Sequence, residues 1–272
     1  YGDHRDLHLS LRRQRQMCIR DSPTFNYHVG GFGGNLHKVP YLDDREDIVS
    51  LIRKANSTNA KLIYFANPDN PMGTYLAGDK IVQALKDLPE GCLFILDEAY
   101  SEFAPASSLP KIEITDARVV RLRTFSKAYG MAGARVGYAM AEENLIKSFE
   151  KIRNHFGMNR SAQKAAFEAL SDNRWLLEMV EKVENGRQRI YKIAAENNLK
   201  SITSATNFVA IDCGKDSNFA KKVLKELISL GIFVRMPFVS PQDRCVRVSV
   251  GKKRDLDRFE KALPTALARA SK

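Results

Sequence analysis

Apolar and polar positions divide the chain into short strand-like runs separated by amphipathic helical ones. "NLHKVPYL" (35–42) predicts a strand and "DREDIVSLIRKAN" (44–56) a helix. "AKLIYFANP" (60–68) is a continuous apolar run closed by Asn-Pro, which predicts a buried strand followed by a turn. "DKIVQALKDLP" (79–89) predicts a helix with Asp79 in its first turn and Pro89 past its end. "GCLFILDEAY" (91–100), "ARVVRLRTFS" (117–126) and "ARVGYAMA" (134–141) predict further strands, the first starting at a Gly and ending in charge. Buried strands alternating with helices predict an α/β layer around a largely parallel sheet.

The texture changes from "RSAQKAAFEALSD" (160–172) onward. A long, highly charged helix is expected over roughly 173–198. It is followed by a strand in "NFVAIDC" (207–213) and a helix in "NFAKKVLKELISLG" (218–231). Two short strands, "IFVRM" (232–236) and "CVRVSV" (245–250), and a final helix from Asp255 complete the pattern. These elements predict a smaller α+β domain over 166–272, hung on the long helix. It is joined to a large domain over 22–165 and preceded by an atypical segment over 1–21.

Composition changes this picture little. The 272 residues are 44% hydrophobic and 28% charged, enough to bury a sizeable core without low-complexity tracts. No apolar run approaches the roughly 20 residues that cross a bilayer, so no membrane role is expected. The cysteines Cys18, Cys92, Cys213 and Cys245 show no pairing or metal-ligand spacing, and with no secretory pattern visible they predict a cytoplasmic protein. The net charge of +11 would suit nucleic acid, but Lys and Arg alternate with acids, as in "KKVLKELISLG" and "KKRDLDRFEKAL". Those are solvated helix faces, and no nucleic-acid partner is expected.

Ligands of parallel α/β sheets gather beyond the carboxyl ends of the strands. Three apolar runs here end in polar residues: the Asn-Pro loop 67–73, then Asp97 to Tyr100, then Thr124, Ser126 and Lys127. An acid directly after a buried run is costly unless it meets a cation or donor. Convergence of these ends predicts a site.

The motifs N-P-x-N-P-x-G at 67–73, D-E-A-Y at 97–100, S-K-x-x-G-x-A-G-x-R-x-G-Y at 126–138 and R-V-S-V-G at 247–251 resemble those of class I/II aminotransferases. That family uses pyridoxal 5'-phosphate (PLP) on the fold-type-I scaffold. The resemblance runs from about Ser22 to the C-terminus and implies a mostly parallel PLP-binding large domain with a smaller α+β domain. It also implies a homodimer. Lys127 matches the lysine that holds the cofactor's aldehyde and then moves the substrate's α-proton, a pairing of roles that only an amine fills. Asp97 matches the carboxylate that keeps the ring nitrogen protonated. Asn70 and Tyr100 match the donors to the ring oxygen, and Phe25 the aromatic stacked on the ring, where the family often has Tyr. Thr124, Ser126 and Arg135 match the phosphate cup, with small residues between them for close approach. Arg247 matches the arginine that grips the substrate's anionic group. Glu98 and Glu102 are expected to be solvated or structural.

"GIFVRMPFVSPQDRCVRVSVG" is most similar to the histidinol-phosphate aminotransferase branch, in which Arg235 would join Arg247 in holding a substrate phosphate. The implied reaction is ping-pong transamination between an amino acid or histidinol phosphate and a 2-oxo acid such as 2-oxoglutarate. A PLP-dependent phospho-amino-acid decarboxylase of the same branch is the alternative. Residues 1–21 do not resemble what the family carries before the Phe25 position: an N-terminal arm, the first helices, a Gly-rich phosphate loop and a tyrosine that reaches the neighbouring subunit. "LRRQRQMCIRD" reads instead as translated sequencing-adapter sequence, a divergent N-terminus or the start of a shortened chain. "GGFGGN" (30–35) follows the aromatic rather than preceding it and predicts a flexible turn. On this reading the large domain exposes apolar sheet surface and the dimer is weakened, so an inactive aminotransferase fragment stands beside the active enzyme.

Overall fold

The computed structural model describes residues 16–19, 23–154 and 156–272. Its larger sheet contains β1 (Gln16–Ile19), β2 (Asn35–Lys38), β3 (Leu62–Ala66), β4 (Leu93–Asp97), β5 (Val119–Thr124) and β6 (Gly137–Met140). They lie in the order β2-β1-β3-β4-β5-β6. All neighbours are parallel except β5 and β6, which form an antiparallel pair at one edge. β1 falls within the segment set apart in the sequence and pairs with both β2 and β3. The remainder of 1–21 lies outside the described residues.

Strands β3 and β4 alternate between a wholly buried face, carrying Ile63, Phe65, Phe94 and Leu96, and a half-buried one, carrying Tyr64, Ala66, Ile95 and Asp97. The period of two sends every second side chain to the same face. The buried face packs against α2 (Ile48–Thr58), whose Ile48, Leu51, Ile52 and Ala55 form one apolar stripe, and against Ile81 of α3 (Gly78–Ala84). Asp47 caps α2 by accepting from the Ser50 N–H at 3.0 Å, which explains why the helix begins later than its first polar residues suggest.

α1 (Pro23–Gly31) precedes β2 and takes in two of the glycines expected in a flexible turn. The turn that follows is hydrogen-bonded, with the Gly34 N–H donating to the Val29 carbonyl at 2.8 Å.

After β6 come α4 (Glu143–Glu150), α5 (Arg160–Ser171) and the 24-residue α6 (Asn173–Glu196). A smaller antiparallel sheet, β7 (Lys200–Ser201), β8 (Phe208–Asp212) and β9 (Cys245–Ser249), packs with α6, α7 (Ser217–Ser229) and α8 (Lys253–Ala270). Ile190, Ile193, Val209, Ile211, Val223, Leu227, Phe259 and Leu263 form its core. "IFVRM" makes only one bridge, Arg235 to Arg247, rather than a strand. Pro237 follows directly and brings no N–H to extend the ladder.

Several contacts tie the two sheets together. The Arg244 guanidinium pairs with Asp44 at 2.6 Å and with Asp212 at 2.7 Å. Arg187 of α6, only 6% exposed, donates to the carbonyls of Phe103 at 3.3 Å and Thr206 at 3.2 Å. Gly73, at φ +81°, sits so close to Ser204 that a Cβ would lie 2.5 Å from its Oγ, and only glycine fits.

Candidate active site

The parallel pairing sets Ala66 beside Asp97 and Asp97 beside Leu122, so β3, β4 and β5 end together. The loop 67–76 leaves β3 and is held from inside. Asn67, 2% exposed, donates from Nδ2 to the carbonyls of Leu76 at 3.1 Å and Ser108 at 2.9 Å, while its Oδ1 accepts from the Leu76 N–H at 2.8 Å. Asn67 is spent on the fold; Asn70, three positions on, turns outward.

Asp97 closes β4. Its Oδ1 accepts from the Ala99 N–H at 2.9 Å and its Oδ2 from the Tyr64 hydroxyl. Burial pushes the Asp97 carboxyl up, against the Tyr64 and Ala99 donors and the nearby Lys127 charge, which hold it down. Burial and the Asp97 charge keep the Tyr64 hydroxyl protonated. The Phe25 ring lies 4.7 Å from the Tyr64 ring. Beyond Asp97, Glu98 turns to the opposite face and is fully buried. It pairs with Arg121 at 2.6 Å and Arg123 at 3.0 Å, so of the two expected readings it is structural rather than solvated.

Lys127 follows β5, its Nζ 5.1 Å from the centre of the Tyr100 ring. The Tyr100 hydroxyl accepts from Asn70 Nδ2 at 3.4 Å, and Asn70 Oδ1 accepts from Arg247 Nη1. The Arg247 guanidinium stacks 4.6 Å from the Phe208 ring, and its Nε is buried without a hydrogen-bond partner. Burial, reinforced by the Arg235 charge, lowers the proton affinity of Arg247, while Tyr100 and Asp69 oppose the shift. Arg235 is held alongside by the paired backbone, its N–H donating to the Arg247 carbonyl at 3.1 Å.

These groups surround one cavity of about 720 Å³. Asn70, Asp97, Tyr100, Lys127, Arg235 and Arg247 line it, together with Tyr64 and Glu46. Apolar residues from the small-sheet side, among them Phe233 and Phe238, complete its wall. The other sequence-predicted residues are not lining residues. Phe25 packs against Tyr64, which does line the cavity. Thr124 and Ser126 stand at the end of β5, where the Ser126 N–H donates to Thr124 Oγ1 at 3.1 Å. Arg135, in the left-handed region at φ 53°, is exposed and donates to the Ala132 carbonyl at 2.9 Å.

Tyr64 and Phe238 were not singled out in the sequence. Strand alternation alone puts Tyr64 on the face of Asp97, whereas nothing local to Phe238 marks it as a wall of the cavity. Among the described residues no group of acidic, His or Cys side chains could hold a metal ion, and no helix is long and apolar enough to cross a membrane.

The donor set fits a pyridine aldehyde and an anionic amine. A buried carboxylate, a lysine amine, two neutral donors and two arginines converge on one cavity. Residues 15–263 match the family described as aminotransferase class I and II. The histidinol-phosphate aminotransferase of Geobacillus sp. is 34% identical over 263 residues, covering 95% of this chain and 71% of that protein. Histidinol-phosphate aminotransferase 2 of Carboxydothermus hydrogenoformans is 35% identical over 255 residues, covering 92% of this chain and 69% of that protein. The crystal structure of the Sinorhizobium meliloti histidinol-phosphate aminotransferase in complex with pyridoxal-5'-phosphate superposes with a TM-score of 0.92 at 47% identity, over 97% of this chain and 73% of that one. The architecture is therefore that of fold-type-I PLP enzymes. The chain belongs to the class I and II aminotransferases, a PLP-dependent family, and within it to the histidinol-phosphate aminotransferase branch.

Proposed function

We propose that this chain catalyses transamination between an amino donor, histidinol phosphate or an amino acid, and a 2-oxo acid such as 2-oxoglutarate. The convergence of Lys127, Asp97, Asn70 and Tyr100 with two arginines in one cavity carries the reading. PLP, when bound, supplies an electron sink that lets the α-proton of an amine leave. Lys127 would hold its aldehyde carbon, and the Lys127 amine would take the α-proton and return it. Asp97 would keep the ring nitrogen protonated and Asn70 and Tyr100 would donate to the ring oxygen, while Phe25, matched to the aromatic that covers the ring, would act through Tyr64, against which it packs. Thr124, Ser126 and Arg135 serve the phosphate; Arg135 must turn from the Ala132 carbonyl to do so. Arg235 and Arg247, both lining the cavity, would hold the substrate's anionic group.

On the same reading residues 22–165 form the PLP-binding domain and 166–272 the small domain. The molecule acts as a homodimer, which the exposed Phe156, Phe167 and Leu177 favour.

Lys127→Ala is the direct test. The purified variant, given PLP, is expected to lose the visible absorbance of lysine-bound cofactor and to fall at least a thousandfold in turnover, assayed with histidinol phosphate and with phenylalanine against 2-oxoglutarate. Retention of both absorbance and turnover defeats the assignment.

A further inference from the structure

Asp69 lies in the same loop as Asn70 and has no part in the mechanism above. It is 1% exposed and gathers donors from two separate stretches of chain. Its Oδ2 accepts from the Tyr41 hydroxyl at 2.5 Å and from the Met72 N–H at 3.3 Å. Its Oδ1 accepts from the Thr74 hydroxyl at 2.9 Å, and its own N–H donates to the Thr74 carbonyl at 2.9 Å. A bond to Met72 alone would describe an ordinary turn-closing aspartate, which works equally well at the surface. Full burial and a tyrosine 28 positions away are more than a turn needs.

The surroundings show what is being held. Met72 is fully buried with Ile202, Ala210 and Cys245 of the small sheet, and Tyr41 packs on the same cluster. Thr74 Oγ1 also reaches the Asp44 carbonyl at 3.3 Å, and Asp44 is the residue paired with Arg244. The loop is therefore wedged between the two sheets, and Asp69 is the polar centre of the wedge. The adjacent residue, Asn70, bridges Tyr100 on the large-sheet side and Arg247 on β9. Arg247 in turn feels the Asp69 charge.

We infer that Asp69, clamped by Tyr41 and Thr74, is a positioning residue that fixes Asn70 between Tyr100 and Arg247, and so sets the geometry of both the cofactor's ring oxygen and the substrate's anionic group. The inference rests on the function proposed above. Asp69 touches neither the cofactor nor the substrate. Freed from the clamp, the loop lets Asn70 drift by the fraction of an ångström that separates a good hydrogen bond from a poor one.

The test compares Asp69→Ala, Asp69→Asn and Tyr41→Phe with the wild-type chain. The readouts are PLP affinity, the visible spectrum of lysine-bound PLP, and KM and kcat for the amino donor. Asp69→Ala is expected to weaken PLP about tenfold, to shift the visible spectrum and to raise the donor KM about tenfold, with kcat falling less. Asp69→Asn keeps the shape and two of the three accepted bonds, and recovers most of each loss. Tyr41→Phe lies between them and stands in if Asp69→Ala fails to fold. Folded Asp69→Ala or Tyr41→Phe protein with unchanged spectrum and unchanged KM overturns the inference while leaving the function intact. Wild-type protein that binds no PLP overturns both.

Discussion

Replacing Glu98 by Ala isolates the part of the strand-end cluster that serves stability rather than chemistry. The Glu98 side chain is 0% exposed, while its partners Arg121 and Arg123 are 17% and 22% exposed. Deleting one member of a buried ion pair costs about 3–5 kcal/mol, because the remaining charge stays buried without a counter-ion. Two guanidiniums are left behind here, but each keeps some contact with water, so the lower end, about 3 kcal/mol, applies. Unfolding entropies near 2.1 cal/mol/K per residue give the 272-residue chain about 0.6 kcal/mol/K, so the melting temperature should drop by about 5 °C. Glu98→Gln keeps one acceptor and should lose roughly half as much. The exposed pair Glu143–Lys147, with side chains 77% and 64% accessible, is the control, and its removal should cost under about 0.5 kcal/mol. Thermal unfolding by circular dichroism reads all three. A Glu98→Ala melting point within 1 °C of wild type would refute the claim that this carboxylate compensates both arginines.

Two further outcomes follow from the site. Arg247→Lys loses the planar fork and the stacking on Phe208; loss of a charge-assisted bond of about 1.5–3 kcal/mol should raise the donor KM tenfold or more while sparing kcat, measured by steady-state kinetics. For Asp69, burial pushes the carboxyl up to about 6 from 3.8, so the folded state holds this proton longer than the unfolded state. That contribution is complete below about pH 4 and is lost as pH rises through 6, roughly 3 kcal/mol in all. Urea midpoints of wild type should therefore fall relative to Asp69→Asn between pH 4 and 7, and a gap constant over that range contradicts the burial argument.

The sequence made β3, β4 and β5 legible because each is an apolar run bounded by turn residues, and the polar residues at their ends could be read as a converging group. The residue pattern alone does not tell Asn67 from Asn70; the motif resemblance picks Asn70, and the structure gives the physical reason. Both sit in the same Asn-Pro pattern, and only the partners Leu76 and Ser108 show which one is consumed by the fold. Asp69 was opaque for a similar reason: Tyr41 comes from a distant stretch of chain. For Glu98 the sequence does carry a signal. Arg121 and Arg123 alternate on one face of a strand inside the sheet, and two such charges need a buried acid opposite. "IFVRM" has the composition of a strand, but Pro237 beside it outweighed that preference. For the phosphate end, Arg135 matched its motif, yet its side chain is turned to the Ala132 carbonyl, a choice made by local hydrogen bonding rather than by sequence.

The anchoring of α6 at Arg187 has a mechanical consequence. At 1.5 Å per residue the helix is a rod about 36 Å long, clamped near its middle to the Phe103 and Thr206 carbonyls. Trp175 lies 12 residues, about 18 Å, toward one end. Its ring sits 3.5 Å from the point where Gly130 would carry a Cβ, three residues beyond Lys127. A tilt of about 5° at Arg187 would therefore sweep the indole through about 1.6 Å against the turn that carries the lysine. The rod has the proportions of a lever, with the small sheet's core on its short arm and the Lys127 turn at the tip of its long one.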